Sequence, residues 1–423
     1  METLVMQISK LVSLFFLVFV LLNLFHCIPD IKEFRTPAEW EKQESVWLAW
    51  PVFDSIKGRH ASDVTESIVR ELASFIKVDL IVQDENEKTK IISNFNTKKI
   101  PFSHVRFHIA PHEDIWMRDM GPIFQVNGKK ERRIVDFNFN LWGYQKENSF
   151  DETVDRVIAN NLGLPTIKAN LFSEGGGVEL NGNGIALLTE AVSFQRNPNL
   201  TKEQIEAEYK RVLNIKKIIW IKEGLPEDQH STLGTLPGRY FTPITTGGHV
   251  DEFVRFVSTD TILLGEISEE EANTNPILKL GRTVLENAYK TLAKETDLEG
   301  KPFKIIRLPM PELLFETIGP GDGTYDFLKD LEFKDGTKII AGEKIKIVLA
   351  ASYMNYLITN GAVLIPKYWK EGRSEQIQKK DQAAVRILSQ LFPDRKIIQI
   401  NPENVNIGGG GIHCITQQMP AVE

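Results

Sequence analysis

Asn406-Ile407-Gly408-Gly409-Gly410-Gly411-Ile412-His413-Cys414-Ile415-Thr416 stands close to the end of the chain, and its reading decides how the rest must be organised. Cys414 is one of only 2 cysteines in 423 residues, and the other, Cys27, lies in an apolar leader. Four consecutive glycines leave the backbone free and let another group approach the thiol closely. A lone thiol beside such a loop is either a small buried hydrophobe or a nucleophile. In extended backbone adjacent side chains face opposite sides, so His413 points away from Cys414 and is a poor base for it. A partner for the thiol has to come from elsewhere in the fold.

Three further runs stand out upstream. Trp116-Met117-Arg118-Asp119-Met120-Gly121-Pro122 ends in a Gly-Pro turn, Glu174-Gly175-Gly176-Gly177 puts a carboxylate on a glycine loop, and Gly247-Gly248-His249-Val250-Asp251-Glu252 follows a third loop. On extended backbone His249 and Asp251 face the same side, and His249, on its own glycine loop, is the natural candidate partner for Cys414. Each run also has a plain reading, as a packed tryptophan and turn or as a turn with a solvated ion pair.

Length alone allows two or three domains, or one closed architecture. A composition of 42% hydrophobic and 25% charged residues supplies a normal core. The formal net charge of −7, with no long basic run, argues against a nucleic-acid partner. Residues 11–29 carry no charged side chain, and 14–22 are continuously apolar. The first thirty residues therefore read as a secretory signal peptide or an uncleaved signal anchor, with membrane attachment through 11–28. A buried core helix is the alternative, against which the stretch shows no amphipathic period. The leader predicts an extracytoplasmic protein, secreted or membrane-anchored. Without it one cysteine remains, so no internal disulfide can form.

Beyond the leader, strands and helices alternate. Val105, Phe107 and Ile109 alternate with polar residues as in a half-buried strand. Val64, Ile68, Leu72 and Phe75 sit at helical spacing before an apolar strand at 78–82. Residues 151–162 predict an amphipathic helix stopped by Gly163, and 178–189 a hairpin around Asn181-Gly182-Asn183-Gly184. Thr201 with Gln204 is a capping box for a helix over 201–213, and helices are expected over 276–294 and 376–391. Residues 223–246 show little periodicity and read as an irregular loop of the kind used as lids or binding loops. No linker divides the chain and no fixed-period repeat is visible, so 34–420 is one α/β domain.

Taken in order, Trp-x-Arg-Asp-x-Gly-Pro, Glu-Gly-Gly, Gly-His-x-Asp and Gly-Gly-Gly-x-His-Cys-x-Thr resemble the agmatine deiminase and bacterial-type peptidylarginine deiminase family. The resemblance extends from Arg35-Thr36-Pro37-Ala38-Glu39-Trp40, through Trp47-Leu48-Ala49-Trp50-Pro51 and Asn197-Pro198, to Gln417-Gln418-Met419-Pro420. It implies the guanidino-group-modifying fold, a five-bladed pseudo-symmetric α/β propeller of ββαβ units, which the strand-and-helix reading by itself does not give. It implies that Cys414 is the nucleophile, His249 the acid-base group, and Asp119 and Asp251 the carboxylates that hold a guanidinium, with Glu174 paired to the histidine. Trp116, Arg118 and Gly410 would line the substrate. No cofactor and no metal are implied.

Two carboxylates fix a guanidinium by charge-assisted hydrogen bonds. The Cys414 thiolate, supported by protonated His249, attacks the central carbon; ammonia leaves, and water hydrolyses the covalent intermediate to a ureido product. The substrate is a small guanidino amine, agmatine first, or else peptidyl-arginine. Agmatine needs an acid at the far end, for which Glu227 and Asp228 are available; peptidyl-arginine needs cationic groups, for which Arg239 and Arg255 are available. A non-enzymatic propeller serving as a binding module is the reading of another class, opposed by the intact set of Cys414, His249, Asp119 and Asp251.

Overall fold

The computed structural model describes residues 33–144 and 148–422. The leader and Cys27 lie outside them. Among the described residues no helix is long and apolar enough to cross a membrane.

The chain opens with three mutually parallel neighbours, β1 (Gln43–Ala49), β2 (Lys77–Val82) and β3 (Val105–Ile109). Three sheets follow, each complete before the next begins. They are β4 (Ile123–Val126) with β5 (Arg132–Asp136) and β6 (Thr166–Lys168), then β7 (Val178–Leu180) with β8 (Ile185–Thr189) and β9 (Lys217–Ile221). The third is β10 (Val254–Phe256) with β11 (Thr261–Glu266) and β12 (Lys304–Pro309). A two-stranded ribbon, β13 (Phe315–Ile318) and β14 (Ile345–Val348), comes next. One more three-stranded sheet follows, of β15 (Leu357–Thr359), β16 (Ala362–Pro366) and β17 (Lys396–Ile400).

Each three-stranded sheet has the same plan. Its first two strands pair antiparallel, and the third returns parallel to the second after a helical crossover. The last strand, β18 (Gln417–Pro420), pairs antiparallel with β1, which pairs parallel with β2 across the helix Ser62–Leu72. The two chain ends thus build a fifth ββαβ unit, and the C-terminal strand closes the N-terminal sheet. The repeat is absent from the sequence because crossovers and insertions give every unit a different length.

The middle strands are buried along their whole length: Ile185–Thr189 and Ala362–Pro366 show no exposed position. That is the expectation for a strand paired on both edges beneath a helix, and β2 is likewise buried from Val78 to Val82, with Asp79 the one charged residue of that run. Val64, Ile68 and Leu72 line the buried face of their helix. The helix Lys202–Leu213 carries the expected capping box, with Thr201 and Gln204 exchanging hydrogen bonds. The other expected elements lie where the sequence puts them, at Val154–Leu162, Pro276–Leu292 and Glu375–Leu391.

Candidate active site

The five units present their chemistry from one kind of place, the turn two to seven residues ahead of the first strand. Trp116 and Asp119 precede β4, Glu174 precedes β7, His249, Asp251 and Glu252 precede β10, Asn355 precedes β15, and Cys414 precedes β18. Cys414, His249, Asp119, Asp251 and Glu174 are all at most 5% exposed. Folding therefore brings together five residues that run from position 119 to position 414 of the sequence.

His249 and Asp251 do not lie on extended backbone. Val250–Glu252 forms a 3-10 turn that opens at His249. They still converge, because both face Gly176: a β-carbon there would lie 2.6 Å from His249 Nδ1, 2.9 Å from Asp119 Oδ1 and 3.2 Å from Asp251 Oδ2. Only glycine admits three polar side chains so close to the backbone. Gly410 does the same at the thiol, where a β-carbon would sit 2.9 Å from Cys414 Sγ and 2.6 Å from the Trp116 ring.

Asp119 accepts from Gly176 N at 2.9 Å and from Trp142 Nε1 at 2.8 Å. Trp142 holds a left-handed φ of 57° to reach it, a strained backbone supporting a site side chain. His249 Nδ1 lies 3.8 Å from Asp119, and Nε2 lies 3.7 Å from Glu174. Neither ring nitrogen has a hydrogen-bond partner, and neither do Glu174 Oε2 and Asp251 Oδ1. The other Glu174 oxygen is taken by buried Arg196.

Burial opposes charge on His249, but Asp119, Glu174 and Asp251 outweigh it and raise the imidazole to about 9. Burial lifts Asp119 to about 6, with Glu174 and Asp251 adding to it against His249. Glu174 falls to about 2, since Arg196 and His249 overcome its burial. Cys414 moves the opposite way from the expected thiolate. Burial first, then Asp251, Glu252 and Asp119, push the thiol far up, so the free site holds it protonated. An arriving cation reverses that balance.

His413 has both ring nitrogens occupied, by Asp251 Oδ2 at 2.6 Å and Glu39 Oε2 at 2.8 Å. It makes no hydrogen bond to the Cys414 sulfur. Arg118 does not join the substrate side: its guanidinium binds Gln417 and Gln418 and faces a cavity of about 40 Å³ lined with Glu39 and His413. Arg255 is fully buried between Glu39 at 2.6 Å and Glu179 at 2.9 Å, which removes it as a carboxylate receptor. Arg239 is exposed and paired with Glu343.

Asp228 is not free to swing toward a substrate either. Its carboxylate accepts from Thr246 N at 2.9 Å, Thr246 Oγ1 at 2.6 Å, Gly248 N at 3.1 Å and His249 N at 2.8 Å. The irregular loop over 223–246 is in this way a brace for the histidine turn rather than a loose lid. Burial raises Glu227 beside it to about 7.

Residues that the sequence did not disclose as partners are Trp142, Glu252 and Asn355. Glu252 Oε1 lies 3.5 Å from Cys414 Sγ, and Asn355 Nδ2 lies 3.0 Å from it. Only the recurrence of chemistry ahead of each first strand marks Asn355, and that recurrence requires the topology. The side-chain heteroatoms of Asp251, Glu252 and Cys414 fall within 4.8 Å of one another.

A mixed α/β domain that buries one thiol among carboxylates and a histidine is the architecture of a deiminase. The family model described as Porphyromonas-type peptidyl-arginine deiminase matches residues 35–420, and the chain belongs to that family. The chain is accordingly a hydrolytic enzyme, as its motif order implied. It is similar to the agmatine deiminase of Medicago truncatula, 31% identical over 417 residues covering 93% of this chain and 98% of that one. It is 28% identical to the agmatine deiminase of Pseudomonas fluorescens over 414 residues, 95% of this chain and 99% of that one. Among solved structures, the agmatine deiminase of Enterococcus faecalis matches with a TM-score of 0.73 at 27% identity, covering 93% of this chain and 98% of that one.

Proposed function

We propose that the chain hydrolyses agmatine to N-carbamoylputrescine and ammonia, with Cys414 as nucleophile. The observation that carries this reading is a buried thiol beside Asp251, Glu252 and Asp119, a field that favours a cation. Asp119 and Asp251 grip the guanidinium N–H groups, and the free Oδ1 of Asp251 is one acceptor. The substrate's charge offsets the carboxylates, and the thiol loses its proton to solvent as the cation enters. Thiolate sulfur bonds to the central carbon. His249, protonated at neutral pH, passes a proton to the departing ammonia and then takes one from the water that releases the ureido product. Glu174, fixed by Arg196, keeps His249 oriented and charged.

Agmatine is favoured over peptidyl-arginine because it has no carboxylate to bind. Of the two arginines available for one, Arg255 is enclosed by Glu39 and Glu179, and Arg239 is paired with Glu343. The agmatine deiminases among the relatives support the same choice. Ammonia release by the full chain from agmatine, free arginine and a peptide ending in arginine tests it. Agmatine is expected to turn over fastest. A faster peptide makes the enzyme a peptidyl-arginine deiminase, and no ureido product from any of the three, with Cys414→Ala unchanged, removes the reading altogether.

The five ββαβ units, closed by β18 on β1, are read as five blades about a pseudo-fivefold axis over residues 34–420, with the reacting groups near it. The uncharged run at 11–28 supports an extracytoplasmic location, as a signal peptide or anchor within 1–30. Recovery of a C-terminally tagged chain from the cytosolic fraction alone would overturn that location.

A further inference from the structure

We propose that Asn355 is a further catalytic residue, whose side-chain N–H hydrogen-bonds to the Cys414 sulfur and stabilises the anion that attacks. The inference deepens the reading of Cys414 as nucleophile and rests on it.

Asn355 is buried in the turn ahead of β15, the one ββαβ unit from which the sequence motifs supply no side chain. Its amide can face only one way. Oδ1 accepts from His413 N at 2.8 Å and from Cys414 N at 3.3 Å, both backbone donors. Nδ2 is thereby turned to Cys414 Sγ at 3.0 Å and Glu252 Oε1 at 2.8 Å. A flipped amide would set its NH2 against two N–H groups and its oxygen against a carboxyl and a sulfur.

The titratable groups that act most on the sulfur are acidic: Asp251 and Glu252 from the turn ahead of β10, and Asp119 from the turn ahead of β4. Burial and Asp251 hold the Glu252 carboxyl itself far up, and protonated His249 stands against Asp119 and Glu174. Such a field attracts a guanidinium but opposes a thiolate. A lysine or arginine beside the sulfur would relieve the second problem and create the first, because it would repel the substrate. A neutral amide donor resolves both. It offers a fixed N–H dipole to the anion, carries no net charge and loses no proton over the working pH range. Its backbone contacts also hold the sulfur's own residue in place, so the dipole needs no reorganisation when charge develops.

Asn355→Asp keeps both backbone contacts but sets an acidic oxygen where the N–H was, so the uncharged Asn355→Leu is needed beside it to separate the lost donor from the added charge. The rate of Cys414 alkylation by iodoacetamide is followed against pH in the full chain, with the modified peptide located by mass spectrometry. Steady-state kinetics on agmatine run alongside, and Asn355→Leu serves as an uncharged second variant. In both variants alkylation at a fixed pH should slow about tenfold or more, its midpoint moving up by about one unit. kcat should fall while KM for agmatine changes less than threefold. A wild-type alkylation profile in either variant overturns the proposal, whatever happens to kcat, because a purely structural role would lower turnover and leave the thiol's titration where it was. A shifted profile in a chain that hydrolyses no guanidine would leave the Asn355–sulfur interaction standing and remove the deiminase reading instead.

Discussion

Two buried polar clusters meet at Asp251 and are finished to different standards. In the cluster behind it, Arg255 donates to Glu39, Glu179 and the Tyr356 carbonyl, Ile358 N donates to Glu39, and Phe256 N to Glu179. His413 joins Glu39 to Asp251, and every polar side-chain atom of these four residues is paired. In the cluster in front, both nitrogens of His249, one oxygen of Glu174 and one of Asp251 are buried without a hydrogen bond. A buried polar atom left unpaired costs about 1–3 kcal/mol, and natural interiors seldom tolerate several together. Their concentration around one thiol marks where a ligand is to supply the missing partners. The saturated cluster supplies the rigidity that keeps the unsaturated one from collapsing.

The largest expected effect breaks the rear cluster. Arg255→Met leaves Glu39 and Glu179 as buried carboxylates without their cation, and stability should drop by about 3–5 kcal/mol in urea or guanidinium unfolding. A loss under 1 kcal/mol would mean that the cluster contributes little rigidity.

Next comes the shared residue. Asp251→Asn can still accept from His413, but it turns an N–H donor toward the guanidinium. kcat/KM for agmatine should fall about 10²–10³-fold while the melting temperature stays near wild type. A comparable loss in melting temperature would instead assign Asp251 to the structural side.

The front cluster is also open to titration. Asp119 ionises near pH 6 rather than at its usual 3.8, so it is charged above that pH and neutral below it. Agmatine binding to Cys414→Ala, measured by calorimetry, should be constant from pH 7 to 8 and weaken up to about tenfold per unit below 6. Affinity that holds to pH 4.5 would remove Asp119 from the guanidinium.

The smallest effect lies away from both clusters. Thr201→Ala removes one half of a capping box on an exposed helix start and should cost about 1 kcal/mol of stability with unchanged kcat/KM. A change in activity there would show that the two clusters are less insulated from the periphery than their packing suggests.

The local elements were legible because their signals are local. Val64, Ile68 and Leu72 fall on one helical face, and Thr201 with Gln204 announces a helix start, whatever surrounds them. The site was legible only as a set of separate loops. Assuming extended backbone at His249 gave the right convergence by the wrong geometry, since the turn at Val250–Glu252 and the bare face of Gly176 bring the groups together. The sequence reading puts Arg118 on the substrate and offers Arg255 to a carboxylate, because nothing in a sequence says that a charge is enclosed by partners hundreds of residues away. Asn355 carried no signal at all.

The sequence by itself determined the residue types, the order of the motifs and, through them, the family. On extended backbone His413 would diverge from Cys414 and make a poor base for it, whereas the two residues lie in a turn and His413 is instead held by Asp251 and Glu39. Only the tertiary structure decided which acids face the thiol, which cations are already spent, and that the thiol rests protonated. The physical reason is that hydrogen-bond satisfaction and the shift of a titrating group depend on everything within a few ångströms. In this chain those neighbours arrive from five separate ββαβ units, so no stretch of sequence contains them.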